Sequence, residues 1–304
     1  MTKQRALVTG ATGFVGNHLV RQLLGANWQV HVIVRPESNR SSLVSANGLR
    51  VHEHNASMVS MLSILAESQP DVVFHVASLF LSEHQPSDID RLVQSNILFG
   101  TQLVEAMAQV GASALVNTGS AWQHYQSCEY SPVNLYAATK QAFEMLLQYY
   151  MEVQNLRVIT LELPDTYGPN DPRPKLLNLL RAAAENGKPL LMSEGMQEID
   201  LVHVTDISRA YLCAANRLLN LDVTGHEKFS ITSGVFISLR ELVSICEQVW
   251  ATKLEINWGA RPYRKREVMK CWRGTPLPEW QAETDLAKGI KELSLNRDCM
   301  YQDQ

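Results

Sequence analysis

The sequence predicts an α/β protein, a doubly wound parallel sheet with a smaller, discontinuous C-terminal cap. Three observations point there. Short apolar runs alternate with amphipathic stretches through the first half of the chain. A glycine-rich turn, Thr9-Gly10-Ala11-Thr12-Gly13-Phe14-Val15-Gly16, joins the first apolar run to the first amphipathic stretch. After Glu162 the alternation stops, and Pro164, Pro169, Pro172 and Pro174 crowd one segment.

Taken in order, strands are expected at residues 6–9, 29–34, 50–52, 72–76, 114–117 and 157–162. All but 50–52, which reads Arg-Val-His, are short runs dominated by apolar residues, the composition of strands covered on both faces. Helical periodicity runs over 14–25, 58–67, 88–110 and 136–153, with Ser87 and Asn134 placed to cap the last two. The proline-rich segment is a loop. Helices return at 175–187 and 239–249, and 253–258 has the texture of a strand. The expected division is a nucleotide-binding unit of residues 1–163, rejoined by 200–226, and a cap of 164–199 and 227–304.

Composition excludes much. With 304 residues, 45% of them hydrophobic and 19% charged, the chain can bury a core without staples. The 27 Lys and Arg against 31 Asp and Glu make no basic field for a polyanion, so nucleic acid is not an expected partner. Five cysteines with no CxxC pair read as reduced thiols. No apolar run reaches the length of a membrane span, and the N-terminus carries no signal segment, so the expected compartment is the cytoplasm.

The glycine turn has the context of a dinucleotide site. Gly10 permits the tight turn, Gly13 lets backbone approach a pyrophosphate, and Gly16 lets helix and strand pack closely. Thr12, Phe14 and Val15 complete the loop. Past the second strand, where an NAD site places an acid, stands Arg35. A guanidinium there binds a 2′-phosphate, so NADP(H) is expected, with Arg40 completing the phosphate pocket. The other reading of Arg35 is a solvated loop charge. Ala77, at the exit of the fourth strand, and Pro164 are placed to line the cofactor, whereas His75 reads as a core histidine.

Tyr136 and Lys140 stand four residues apart at a helix start, on one face one turn apart. A phenol of pKa about 10 beside a cation is an acid-base pair. The glycine turn, this pair, the segment Ser95-Asn96-Ile97, the run Asp165-Thr166-Tyr167-Gly168-Pro169 and Asp200-Leu201-Val202-His203 together resemble the extended short-chain dehydrogenase/reductase family, in its NAD-dependent epimerase/dehydratase branch. The resemblance covers nearly the whole chain. It implies a Rossmann core, hydride transfer at a sugar carbon of a nucleotide sugar, and a homodimer.

The resemblance also implies a catalytic hydroxyl after the fifth strand. Aligning Trp122 with the aromatic residue that ends the family motif puts Thr118 there, with Ser120 as the second choice. Asn96 takes the place of the family's central-helix asparagine, either ordering a relay water or serving structure. The dehydratases of the branch carry carboxyl groups after the hydroxyl, and Gly119 and Ser120 supply none, which disfavours dehydration. Around Ser120-Ala121-Trp122-Gln123-His124 and Leu135-Tyr136-Ala137-Ala138-Thr139-Lys140, the chain is similar to the CDP-abequose and CDP-paratose synthase type of 4-ketoreductase, which serves deoxysugar and O-antigen biosynthesis. Trp122, Gln123, Asp165, Arg173 and Lys175 are then candidates for the substrate pocket, and Arg264 with Glu267 for the diphosphate and ribose. An NAD-dependent 4-epimerase, a non-catalytic dinucleotide sensor and a reductase of a non-nucleotide ketone remain open alternatives. No metal is expected.

Overall fold

In the computed structural model, residues 3–44, 46–220 and 223–298 are described. The elements run β1 (Arg5–Thr9), α1 (Phe14–Gly25), β2 (Gln29–Val34), β3 (Leu49–Glu53), α2 (Met58–Ser68), β4 (Val72–His75), α3 (Ile89–Val93), α4 (Phe99–Val110), β5 (Ala114–Ser120), α5 (Leu135–Gln154) and β6 (Arg157–Leu163). There follow β7 (Asp165–Tyr167), α6 (Leu176–Asn186), β8 (Leu190–Leu191), β9 (Glu198–Ile199), β10 (Leu201–His203), α7 (Val204–Leu219), β11 (His226–Ser230), β12 (Ile237–Ser238), α8 (Leu239–Trp250), β13 (Ile256–Asn257) and α9 (Leu286–Asp298).

The central sheet has seven strands in the order β11-β6-β5-β4-β1-β2-β3. Every neighbour pairs parallel. Strands such as β1 and β4 are buried almost end to end because helices cover both faces. On one face α1 and α7 pack Leu19, Val20, Tyr211 and Leu218 against Val8, Val32 and Val116. On the other, α2, α4 and α5 pack Met61, Leu103, Phe143 and Leu147 against Leu7, Val73 and Leu115. Each such side chain contributes roughly 1.5–3 kcal/mol of burial. The strand order reverses between β1 and β4, and the crevice at their carboxyl ends is where ligands of such sheets sit.

A third cluster joins Leu177, Leu180, Leu242, Cys246 and Ile290 around Tyr167 and Met192. Beside it lie the small pairings β10 with β7, β12 with β9, and β13 with β8. Among the described residues, no helix is long and apolar enough to cross a membrane.

The structure departs from the sequence reading in several places, and the helices α7 and α9 and the short strands β7 to β10 were not expected. The helix expected over 88–110 is interrupted: a π-helical turn, Gln94–Leu98, separates α3 from α4. Ser87 caps nothing there; the 3-10 turn Pro86–Asp88 is closed by a capping box between Gln85 and Asp88. Only Ile256–Asn257 of the strand expected at 253–258 forms, against Leu190–Leu191. The seventh strand, β11, has no clean apolar alternation and was not expected; it carries Glu227 to Ser230 into the sheet, past the residue where the expected division fell. Asn134 does cap α5, accepting from Ala137 N at 3.0 Å.

Candidate active site

The glycine turn is built for close backbone approach. Gly10 sits at φ +71°, and a Cβ there would lie 2.7 Å from Ala77 N. A Cβ at Gly16 would lie 2.1 Å from Gly10 O, so α1 can pack this closely on the turn only without one. Gly13 is the N-cap of α1, is exposed, and offers no side-chain cap. First-turn N–H groups therefore remain for an anion, at the positive end of the helix dipole. This cradle, flanked by Thr12 and Val15, fits the pyrophosphate of a dinucleotide. Phe14 lies buried beneath it with the Arg173 guanidinium 4.7 Å from its ring, and Ala77 N bonds Thr9 Oγ1 at 3.1 Å. Pro164 makes the joint between β6 and β7.

At the end of β2, Arg35 is exposed, and its Nε lies 3.3 Å from Glu37. Arg40, expected beside it, is tied to Glu53 of β3 at 2.5 Å. Each of the two arginines thus has a carboxylate partner, Arg35 in Glu37 and Arg40 in Glu53.

Tyr136 and Lys140 are both buried on the first turns of α5. Lys140 Nζ lies 6.0 Å from the Tyr136 ring centroid. Burial pushes the phenol up to about 12, opposed by hydrogen bonds with Ser78 and Ser120 and by the charge of Arg173. Burial also brings Lys140 down to about 8, opposed by the carboxylate of Glu144. The phenol thus keeps its proton at neutral pH, the state a general acid requires.

The geometry corrects the reading of Thr118. Its hydroxyl donates to His75 O at 2.7 Å and shares a 2.5 Å bond with the Tyr211 hydroxyl. β5 continues to Ser120, so Thr118 lies two residues, roughly 7 Å, inside the sheet, while Ser120 stands at its end facing the phenol. For Asn96 the structural alternative is the one the geometry fits. Its Oδ1 accepts from Leu79 N at 2.7 Å and Ser78 Oγ at 3.2 Å, and its Nδ2 donates to Leu79 O at 3.1 Å and Thr139 Oγ1 at 2.9 Å. Those four bonds exhaust an amide, leaving nothing for a relay water. His75 pairs with Thr9 at 3.0 Å and is driven down to about 3 by burial, so it stays neutral.

Above the phenol the cleft is aromatic and charged. Phe80 meets Tyr136 edge-on at 5.0 Å and Trp122 at 5.5 Å, and Lys175 Nζ stands 4.1 Å over its ring. Lys175 is paired with Asp165 at 3.1 Å, and Arg173 with Asp171 at 2.7 Å. The Arg264 guanidinium lies 5.5 Å over Trp122, and its backbone N–H donates to Glu267 at 3.2 Å. Gln123, expected in the pocket, is instead fully buried behind it, with its amide bonded to Ser120 N, Gln141 and Glu144.

Sequence reasoning missed Ser78, Phe80 and a buried cluster behind the loop. There His124 Nε2 lies 2.8 Å from Glu162 Oε1, Trp272 Nε1 donates to Glu162 Oε2 at 3.0 Å, and the imidazole stacks on the indole at 4.1 Å. A buried strand glutamate was the one available signal, because such a charge needs partners.

The sequence pattern of the NAD dependent epimerase/dehydratase family matches residues 6–226. The chain is 25% identical over 295 residues to a CDP-abequose synthase of Salmonella muenchen, covering 95% of this chain and 97% of that one. It is 28% identical over 305 residues to a UDP-glucose 4-epimerase of Mycolicibacterium smegmatis, covering 94% and 96%. The structure of MoeE5 in complex with UDP-glucuronic acid and NAD superposes with a TM-score of 0.84 at 24% identity, over 97% of this chain and 99% of that one, a likeness of fold.

Proposed function

The chain belongs to the NAD dependent epimerase/dehydratase family, and from that premise we propose that it is an NADPH-dependent reductase of the C4 ketone of a nucleotide-linked, CDP-type 6-deoxy or 3,6-dideoxy hexose. The observation that carries this is the buried Tyr136 phenol, one helical turn from Lys140 and beside Ser120 and Ser78, at the crevice that holds the glycine cradle. Two features of the chain support reduction over its relatives' other chemistries. Ala121 and Trp122 follow Ser120, so the strand end lacks the carboxyl pair that a dehydratase of this branch carries after its hydroxyl. The similarity to CDP-abequose synthases spans almost the full chain.

A dinucleotide with its pyrophosphate on the cradle would supply the hydride from its nicotinamide. Ser120 donates to the carbonyl oxygen, and Tyr136 gives its proton to that oxygen as it becomes an alkoxide. Lys140 holds the nicotinamide ribose and restores the phenol's proton. Asp165, Arg173 and Lys175 would meet the sugar and phosphates, with Trp122, Arg264 and Glu267 reached from Lys175 through Phe80. Arg35 selects the 2′-phosphate. Exposed Met145, Tyr149 and Val153 on α5 form the apolar face of a homodimer. The free thiols of Cys128, Cys213, Cys246 and Cys271 suit work in the cytoplasm.

The test is fluorescence titration with NADPH and NADH, for wild type and Arg35→Asp, followed by reduced-nicotinamide absorbance with CDP-4-keto-6-deoxy and 3,6-dideoxy sugars. NADPH preference that the variant loses, with oxidation only when sugar is added, supports the reading. Equal NADH binding and no net oxidation favour a 4-epimerase, which the similarity to UDP-glucose 4-epimerases and Glu37 beside Arg35 make the second reading.

A further inference from the structure

Behind the Ser120 loop lies a buried polar relay for which packing gives no reason. Glu144 follows Lys140 by one turn of α5 and is 4% exposed. Gln123 Nε2 donates to Glu144 Oε1 at 2.8 Å and to Gln141 at 2.9 Å. Its Oε1 accepts from Ser120 N at 2.9 Å. Gly119 is required for this: a Cβ there would come within 3.2 Å of Gln123 Oε1 and 2.8 Å of Thr160.

Burying a carboxylate costs several kcal/mol, and an apolar residue of like size packs at least as well. Around Glu144 the cost is only partly offset. Lys228 of β11 stands 3.6 Å from Oε2, while Glu162 of β6 opposes it and has its own partner in His124. Lys140 itself faces Tyr136 on α5 and His75 at the end of β4. Of the carboxylates near it, Glu144 favours its charged form.

We propose that Glu144 and Gln123 are positioning residues for the reaction: Glu144 anchors the Gln123 amide, Gln123 fixes the Ser120 backbone beside the Tyr136 phenol, and the Glu144 carboxylate stands one helical turn from Lys140 as its counter-charge. One carboxylate thereby serves both halves of the acid-base apparatus. This rests on the ketoreductase reading for its rates but not for its electrostatics.

The experiment compares wild type, Glu144→Gln, and the double swap Gln123→Glu with Glu144→Gln, all screened by Tm. The swap keeps one carboxylate and one amide in the same pair. In Glu144→Gln, kcat falls about tenfold or more with KM within about threefold, and the alkaline limb of the kcat profile moves to lower pH. The Lys140 midpoint, followed by 13C NMR of labelled lysine and assigned with Lys140→Met, falls by about one pH unit. The swap recovers kcat to within about threefold. A wild-type kcat or an unmoved Lys140 midpoint in Glu144→Gln overturns the proposal, as does a swap no better than the single variant. Because the lysine titration needs no substrate, it decides the matter even if no keto sugar is reduced.

Discussion

The Ser120 hydroxyl, on the last residue of β5, meets the Tyr136 phenol on the first turn of α5. Thr118, two residues earlier on the same strand, is bonded instead to His75 O and Tyr211. The two hydroxyls therefore separate cleanly by experiment. Ser120→Ala lowers kcat by about a hundredfold, the scale for losing one donor to a developing oxyanion. Thr118→Val leaves kcat within a few-fold but removes about 1–3 kcal/mol of stability, since the Tyr211 hydroxyl loses its buried partner. Steady-state kinetics and denaturant unfolding on the two variants check this, and a reversed pattern would return the role to Thr118.

Tyr136→Phe should lose about 10²–10⁴ in kcat while binding nucleotide as the wild type does. The ring still packs edge-on against Phe80, so the fold around it stays in place. Nucleotide titration beside turnover measures both; weakened binding of the same size as the rate loss would argue against a proton-transfer role.

Acid should unfold the protein through its buried histidines. His31, in contact with His52 at 2.8 Å, is driven down to about 4, first by burial and then by His52. His226 is likewise brought to about 4 by burial and His75 to about 3. Each binds its proton less readily folded than unfolded. Their contribution is fully present above about pH 6.5 and drains away as the pH falls from 6.5 toward 4. Tm measured across that window should drop, and His31→Gln should flatten the drop. A variant whose acid profile matches the wild type would remove His31 from the account.

Two glycines of one helix should respond oppositely to alanine. Gly16→Ala forces a Cβ to 2.1 Å from Gly10 O, costing about 1–3 kcal/mol and nucleotide binding with it. Gly25→Ala meets nothing within 4 Å and should gain about 0.4–1 kcal/mol. Thermal unfolding and nucleotide titration of both variants settle the contrast.

What the sequence by itself determined was carried by local period and local turn chemistry, though not all of that was read: the amphipathic α7 was not expected. Apolar runs located six of the seven sheet strands, the Asn134 cap started α5, and the glycine spacing marked the cradle, because strand burial, helix capping and close backbone approach each leave a signature within a few residues. Tyr136 and Lys140 were legible for the same reason, one helical turn apart. The tertiary structure decided which groups meet across elements. Ser120 rather than Thr118 faces the phenol because β5 runs on to residue 120 and Tyr211, far along the chain, closes over Thr118. Arg40 goes to Glu53, and Asn96 spends its amide on Leu79, Ser78 and Thr139. The pairing of Gln123 with Glu144 and of His124 with Glu162 and Trp272 likewise joins distant segments. A hydrogen bond acts over about 3 Å of space and has no preferred separation along the chain, so only the fold can assign its partners.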